Sequence, residues 1–241
     1  MMSLGKENSG KYRRFVVYHR ILHFIVIITF TLLSITGFTL YFSHLSWVRA
    51  IGMLFGNATG LAWIHRVSAT IFYICVMLHI LFLAYHKLVK KGRIFGPQSL
   101  FPSLKDFQDI YQNILYIFGK GAPAKYNRFS YLQKVDYWAV LLGMQSMGIT
   151  GIIMWYPEYF ASILPGFFVN IANELHFHEA ILAVMYIGFV HMTDTHLTPE
   201  SFPLEKSIFS GWITKEDFML KHAGEWELKR AESESSAPEI A

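Results

Sequence analysis

The chain has 241 residues, of which 53% are hydrophobic and 16% charged, with a mean hydropathy of +0.33. That is too apolar for an ordinary soluble domain and points to a multi-pass membrane protein. The net charge of +4 is modest and its one cysteine, Cys75, excludes a disulfide framework; no nucleic-acid partner is expected.

A membrane helix needs roughly 20 mostly apolar residues. A basic N-terminal arm (Lys6, Lys11, Arg13, Arg14, Arg20) leads into the first such stretch, residues 16–42. It is too long for a signal peptide, has no small-residue cleavage site and is followed by another span, so it reads as a retained anchor. Residues 61–85 predict the second span. The long connection that follows contains "SLKDFQDIYQNILYIFG", residues 103–119. There Leu104, Phe107, Ile110, Tyr111, Ile114, Leu115 and Phe118 share one helical face, and Ser103 is placed to cap the start. This predicts an amphipathic helix on the cytoplasmic membrane surface. Residues 137–156 predict the third span and 174–197 the fourth, in which Glu174, Glu179 and Asp194 flank an apolar middle. Trp47, Trp63, Trp138 and Trp155 fall at or just beyond span ends, where amphipathic rings belong. The fold class is therefore an all-α membrane protein, a four-transmembrane-helix bundle with an interfacial cytoplasmic helix and a short C-terminal extension. Residues 1–226 form one integral-membrane domain, and 227–241 read as a disordered tail.

Lys and Arg give the orientation. The 86–136 connection carries nine and the tail five, against only Arg49 in the 43–64 loop and none in the 157–173 loop. By the positive-inside rule both termini and the long connection are cytoplasmic.

Eleven histidines are many for this length. Five lie in or at the rims of spans: His23, His65, His79, His176 and His191. Polar groups in hydrocarbon are costly and are functional candidates by default. With a rise of 1.5 Å and a turn of 100° per residue, His176 and His191 lie ~22 Å apart and ~60° apart in azimuth. His65 and His79 lie ~21 Å and ~40° apart. His178 to His191 fits worse, at ~140°. Given the span directions, His65 and His176 form an outer layer, and His23, His79 and His191 an inner one. Paired imidazoles at two depths are what two b-type haems stacked across a membrane require. An iron with two axial histidines has no open position, which suits electron transfer. Gly37 in "SITGF" and Gly151 in "GITGI" remove a Cβ where a flat macrocycle would approach the backbone.

The stretches "RILHFIVIITFTLLSITGFTL", "HRVSATIFYICVMLH", "YWAVLLGMQSMGITGIIMW", "HFHEAILAVMYIGFVH" and "HLTPESFPLEKSIFSGWITKEDF" occur in this order. In this the chain resembles the four-helix bacterial cytochrome b superfamily that includes formate dehydrogenase gamma subunits and hydrogenase b-type cytochromes. The resemblance implies an outer haem held by His65 and His176 and an inner one by His23 and His191, two haem b in all. His79 in place of His23, and His178 in place of His176, stay open as alternatives. It further implies electron transfer between a quinone (menaquinone or ubiquinone) and a periplasmic iron–sulfur or multihaem cytochrome subunit. Such a chain would sit among membrane lipid in a hetero-oligomeric respiratory complex of the bacterial inner membrane. His79, Asp194 and His196 are candidates for the quinone side. With no cysteine cluster, no CxxCH, no phosphate-binding loop and no nucleophile triad, the chain reads as a quinone-reactive electron-transfer subunit rather than a complete enzyme. The rival class is a His-lined transporter of metal ions or protons. Against it, the fourth span lacks the Gly/Pro-broken pattern of many transporters.

Overall fold

The computed structural model describes residues 5–8, 10–91 and 95–235. Among the described residues, four helical stretches are long and apolar enough to cross a membrane. Three are α1 (Val17–Tyr41), α3 (Ala58–Leu88) and α5 (Tyr131–Trp155). The fourth, Phe167–His196, runs through α7 (Phe167–Met185), a π-helical turn (Tyr186–His191) and α8 (Met192–His196). Short helices α2 (Ser46–Met53) and α6 (Pro157–Ile163) fill the loops after α1 and α5; Pro157 starts α6, where its missing N–H costs nothing. The helix in the long connection is α4 (Leu104–Ile117). Each expected span is present; the structure extends the third and fourth toward their N-termini and the second by three residues at each end.

The chain folds as two compact units. The first to consider comprises residues 17–83 and 140–190, the bulk of the four spans. Along α1 its packing is inside-out relative to a soluble bundle. α1 buries Thr29, Thr36 and Thr39, while Ile21, Phe24, Ile28 and Ile35 face outward. Lipid is as apolar as leucine, so helices in it associate through small and hydrogen-bonding residues instead. Thr29, Thr36 and Thr39 each give their hydroxyl proton to the carbonyl four residues back. Tyr73 donates to Gln145 at 2.9 Å, and Gly148 leaves the space its ring occupies.

The other unit comprises residues 1–16, 84–139 and 191–241, so the N-terminal arm, the long connection and the C-terminal extension collapse together. A small antiparallel sheet, which the sequence reading did not foresee, joins β1 (Gly5–Asn8), β2 (Lys11–Arg13) and β3 (Trp212–Thr214) in that order. Tyr12 stands opposite Ile213. After a short α9 (Ser207–Ser210), α10 (Lys215–Lys221) and α11 (Ala223–Ser235) follow. Fully buried Phe218 packs its ring against Tyr12 and Trp226 at 5.3 and 5.7 Å. Beside this core Arg14 and Arg128 each donate to the other's backbone carbonyl, at 3.1 and 2.9 Å, and Arg128 meets the buried Glu225 at 3.5 Å. Burial first, then the Arg128 charge, pulls the Arg14 guanidinium down to about 10.

α4 has the expected face but presents it outward. Asp106 and Asp109 are buried, paired with Lys134 at 2.7 Å and Lys105 at 2.6 Å, while Leu104, Phe107, Tyr111 and Phe118 are exposed. Ser103 caps it through its own backbone N–H, which donates to Asp106 at 2.6 Å. Residues 227–235, expected to be disordered, are helical. "EWELKRAE" is rich in good helix formers, and Glu225 and Glu227 anchor it to Arg128 and Lys125. Residues 236–241 lie outside the described residues.

Candidate functional site

α3 and α7 bring the rings of His65 and His176 together edge-on within the first unit, centroids 6.4 Å apart and planes at 64°. An imidazole bonded to a metal ion through nitrogen at about 2 Å has its centroid about 3 Å from that ion. Rings 6.4 Å apart could therefore hold one iron between them.

What fixes each ring is repeated on the two sides. His65 Nδ1 lies 3.0 Å from Thr36 Oγ1, and His176 Nδ1 lies 2.9 Å from Thr150 Oγ1. Each threonine already gives its one proton to its own helix, Thr36 to the Leu32 carbonyl at 2.6 Å and Thr150 to that of Ser146 at 2.8 Å. The hydroxyl is thus left as an acceptor, so both imidazoles carry their proton on Nδ1 and keep the Nε2 lone pair. That tautomer, held by an outer partner, is the one a metal-ligating histidine needs. The glycine after each threonine serves the same rings. A Cβ at Gly37 would stand 3.1 Å from His65 Cε1, and one at Gly151 3.4 Å from His176 Cε1. Among the described residues, the atoms nearest these missing side chains belong to the imidazoles. His178 is placed differently. Its side chain is 70% exposed, and Nδ1 donates to the Glu174 carbonyl at 2.8 Å.

At the other end of the first unit His23 and His79 are both half-buried. The ring nearest His79 among the aromatic contacts is that of His19, at 6.0 Å and 66°, which also meets Phe82 edge-on at 5.0 Å. The sequence reading passed over His19, although it lies one turn before His23 on α1. In the second unit His191 Nδ1 donates to the buried carboxylate of Asp136 at 2.9 Å, again leaving Nε2 with its lone pair. The π-helical turn ends at His191. A π-bulge takes up one residue. The fifteen-residue step from His176 then winds like fourteen, ~40° in azimuth rather than ~60°.

His196 is buried and its ring lies 6.2 Å from that of His191. Its Nδ1 accepts the Glu205 backbone N–H at 3.1 Å, so its proton sits on Nε2. Glu205 in turn accepts from the Lys221 ammonium and from the Ser207 backbone N–H at 3.0 Å. Burial pushes the Glu205 carboxyl up, but these hydrogen bonds prevail and hold it down to about 2. The Pro-rich segment after the fourth span is thereby tied to His196. Asp194 is half-buried. Sequence reasoning treated Glu179 only as a flanking charge. One turn beyond His176, it accepts a hydrogen bond from Ser146, and Gly143 leaves room for its Oε1.

A family model described as prokaryotic cytochrome b561 matches residues 2–97, which include His23, His65 and His79. The formate dehydrogenase cytochrome b556 subunit of Haemophilus influenzae is 24% identical over 227 residues, 94% of this chain and 86% of that protein. The nitrate-inducible formate dehydrogenase cytochrome b556(Fdn) subunit of Escherichia coli K12 is 22% identical over 222 residues, 91% of this chain and 93% of the relative. The family-model match and these relatives bear out the resemblance read from the span motifs, that of a bacterial b-type cytochrome similar to formate dehydrogenase gamma subunits.

Proposed function

We propose that this chain is the dihaem membrane subunit of a respiratory oxidoreductase complex in the bacterial inner membrane, carrying electrons between the quinone pool and a periplasmic redox partner. The observation that carries this reading is the His65–His176 pair with its mirrored threonine partners. Two imidazoles preset in the ligating tautomer would hold the outer haem by Nε2. His191, oriented by Asp136, and His23 would hold the inner one, as the sequence pairing has it. Bis-histidine haem supplies one-electron chemistry without an open coordination position. The chain's own residues supply orientation: Thr36, Thr150 and Asp136 hold protons on Nδ1, and the glycines beside the rings let them seat against the helices.

On the quinone side, His196 offers an Nε2–H as donor, and His79 and Asp194 are the further candidates for hydrogen bonding or proton exchange. The quinone would be menaquinone or ubiquinone. The relatives are named as subunits of formate dehydrogenase, which supports a hetero-oligomeric complex; the partner proposed is an iron–sulfur or multihaem cytochrome subunit on the periplasmic side. Lys and Arg concentrate in the arm, the connection and the extension, which supports cytoplasmic termini. The pyridine haemochrome spectrum of the purified chain tests the reading. It should give two haem b per polypeptide, falling to one in His176→Ala. A preparation holding no haem, or one per chain before substitution, would sink the dihaem assignment.

A further inference from the structure

The first unit carries a groove along α3. Trp63, Arg66, Val67, Thr70 and Ile71 form one stripe of α3, and Trp155 at the end of α5 closes its other side around about 270 Å³. The stripe is about 12 Å long, eight residues at 1.5 Å each. Its polarity is graded. Trp63 and Trp155 mark the span ends, the level at which indole rings meet the membrane–water boundary. The Arg66 guanidinium lies just inside them, 5.1 Å over the Trp155 ring. Deeper in, Thr70 turns its hydroxyl back to the Arg66 carbonyl at 2.8 Å, so Val67 and Ile71 leave an apolar floor. Among the described residues Arg66 forms no salt bridge. A full positive charge this far into a span is retained where it has a counter-charge or a role.

We propose that this groove binds one anionic phospholipid of the surrounding leaflet, its phosphate on Arg66 and an acyl chain along Val67 and Ile71. The charge decides the ligand class. A neutral ring such as a quinone has no use for an unpaired guanidinium, whereas a phosphodiester accepts its planar fork of donors. The apolar floor below the cation rejects a soluble anion and accepts a chain.

The protein, purified in mild detergent and equilibrated with equal amounts of phosphatidylglycerol and phosphatidylcholine in nanodiscs, is released into native mass spectrometry. Wild-type protein should retain phosphatidylglycerol in preference to phosphatidylcholine. Arg66→Gln should lower that retention about fivefold, the effect of one basic residue at an anionic surface. Arg66→Lys should keep part of it. Haem content measured on the same samples separates loss of lipid from loss of fold. Equal retention of the two lipids by the wild-type protein overturns the proposal without any variant. So does undiminished phosphatidylglycerol on a haem-replete Arg66→Gln protein, or displacement of lipid by an acidic peptide segment of a partner.

Discussion

If His65 and His176 hold a haem as proposed, Thr36 and Thr150 matter more for its chemistry than for the stability of the bundle. An interhelical hydrogen bond within a bilayer averages only about 0.6 kcal/mol, because the alternative states find partners too. Loss of an outer partner to a metal-ligating histidine, by contrast, lowers affinity about ten- to a hundredfold. Thr36→Val and Thr150→Val keep the shape and remove the acceptor for Nδ1–H. Each is expected to weaken haem retention within that range and to shift the potential of one haem, with the thermal midpoint nearly unmoved. Thr36→Ser, which keeps a hydroxyl, should restore both properties. Titration of the apoprotein with haemin, read beside a melting curve, checks this. A lower melting midpoint with unchanged haem affinity would reduce the threonines to ties between helices.

Among the elements, the π-helical turn Tyr186–His191 has the sharpest consequence. It absorbs one residue in the fourth span, so that His176 and His191 keep nearly one face although fifteen positions separate them. Deleting Gly188, which has open space around it, should convert the turn to plain α-helix and leave both haems bound. Inserting an alanine at the same place should rotate His191 by about 100° and cost the inner haem. Haem stoichiometry of the two variants reads the outcome; equal damage from both would remove the turn's role. This turn was not legible in the sequence, because nothing in "YIGFVH" distinguishes it from an α-helical run. The spans were legible, since hydrophobic length alone dictates them, and so was the depth of His65 and His176, since helical rise alone sets it. The partners of the histidines were not. Thr36 meets His65 across 29 residues and Asp136 meets His191 across 55, contacts that only the packing of separate helices creates. The Thr-Gly stretches were visible, but attention went to the glycine and missed the hydroxyl. The outward face of α4 was a matter of which side carried partners: its pattern showed an amphipathic helix, and only the Asp106–Lys134 pair shows that the polar side faces inward.

For the whole molecule, the arm, the connection and the extension can join in one unit only if they emerge on the same side of the membrane, which an even number of spans provides. With the Lys and Arg asymmetry placing that side in the cytoplasm, as proposed, reporter fusions at Gly56 and Pro165 should answer as periplasmic, and those at Gly121 and after Glu225 as cytoplasmic; a cytoplasmic Pro165 fusion would overturn the proposed orientation and with it the order of the proposed haem layers. The same unit holds a pH-sensitive joint. His222, buried at the junction of α10 and α11, donates from Nδ1 to the Asn127 carbonyl at 3.1 Å. Burial first, and then the charge of Arg14, holds its pKa well below the ordinary histidine value, with Arg128 adding to the effect and Glu205 opposing it. The folded unit thus keeps this imidazole neutral where the unfolded chain would protonate it. Below the unfolded value of about 6.5, the unfolded state binds the extra proton, so stability falls as pH falls. The loss is about 1.4 kcal/mol, or tenfold in the opening equilibrium, per pH unit until the folded pKa is reached. Glu205 acts in a lower window, stabilising fully above its ordinary value of 4.5 and losing that contribution as pH falls toward about 2. Limited proteolysis of the C-terminal extension should then rise roughly tenfold between pH 6 and pH 5. His222→Gln, which can still donate to Asn127 but takes up no proton, should flatten that rise while leaving the profile below pH 4.5 in place. If the wild-type and His222→Gln proteins open along the same curve between pH 6 and pH 5, another group governs the joint.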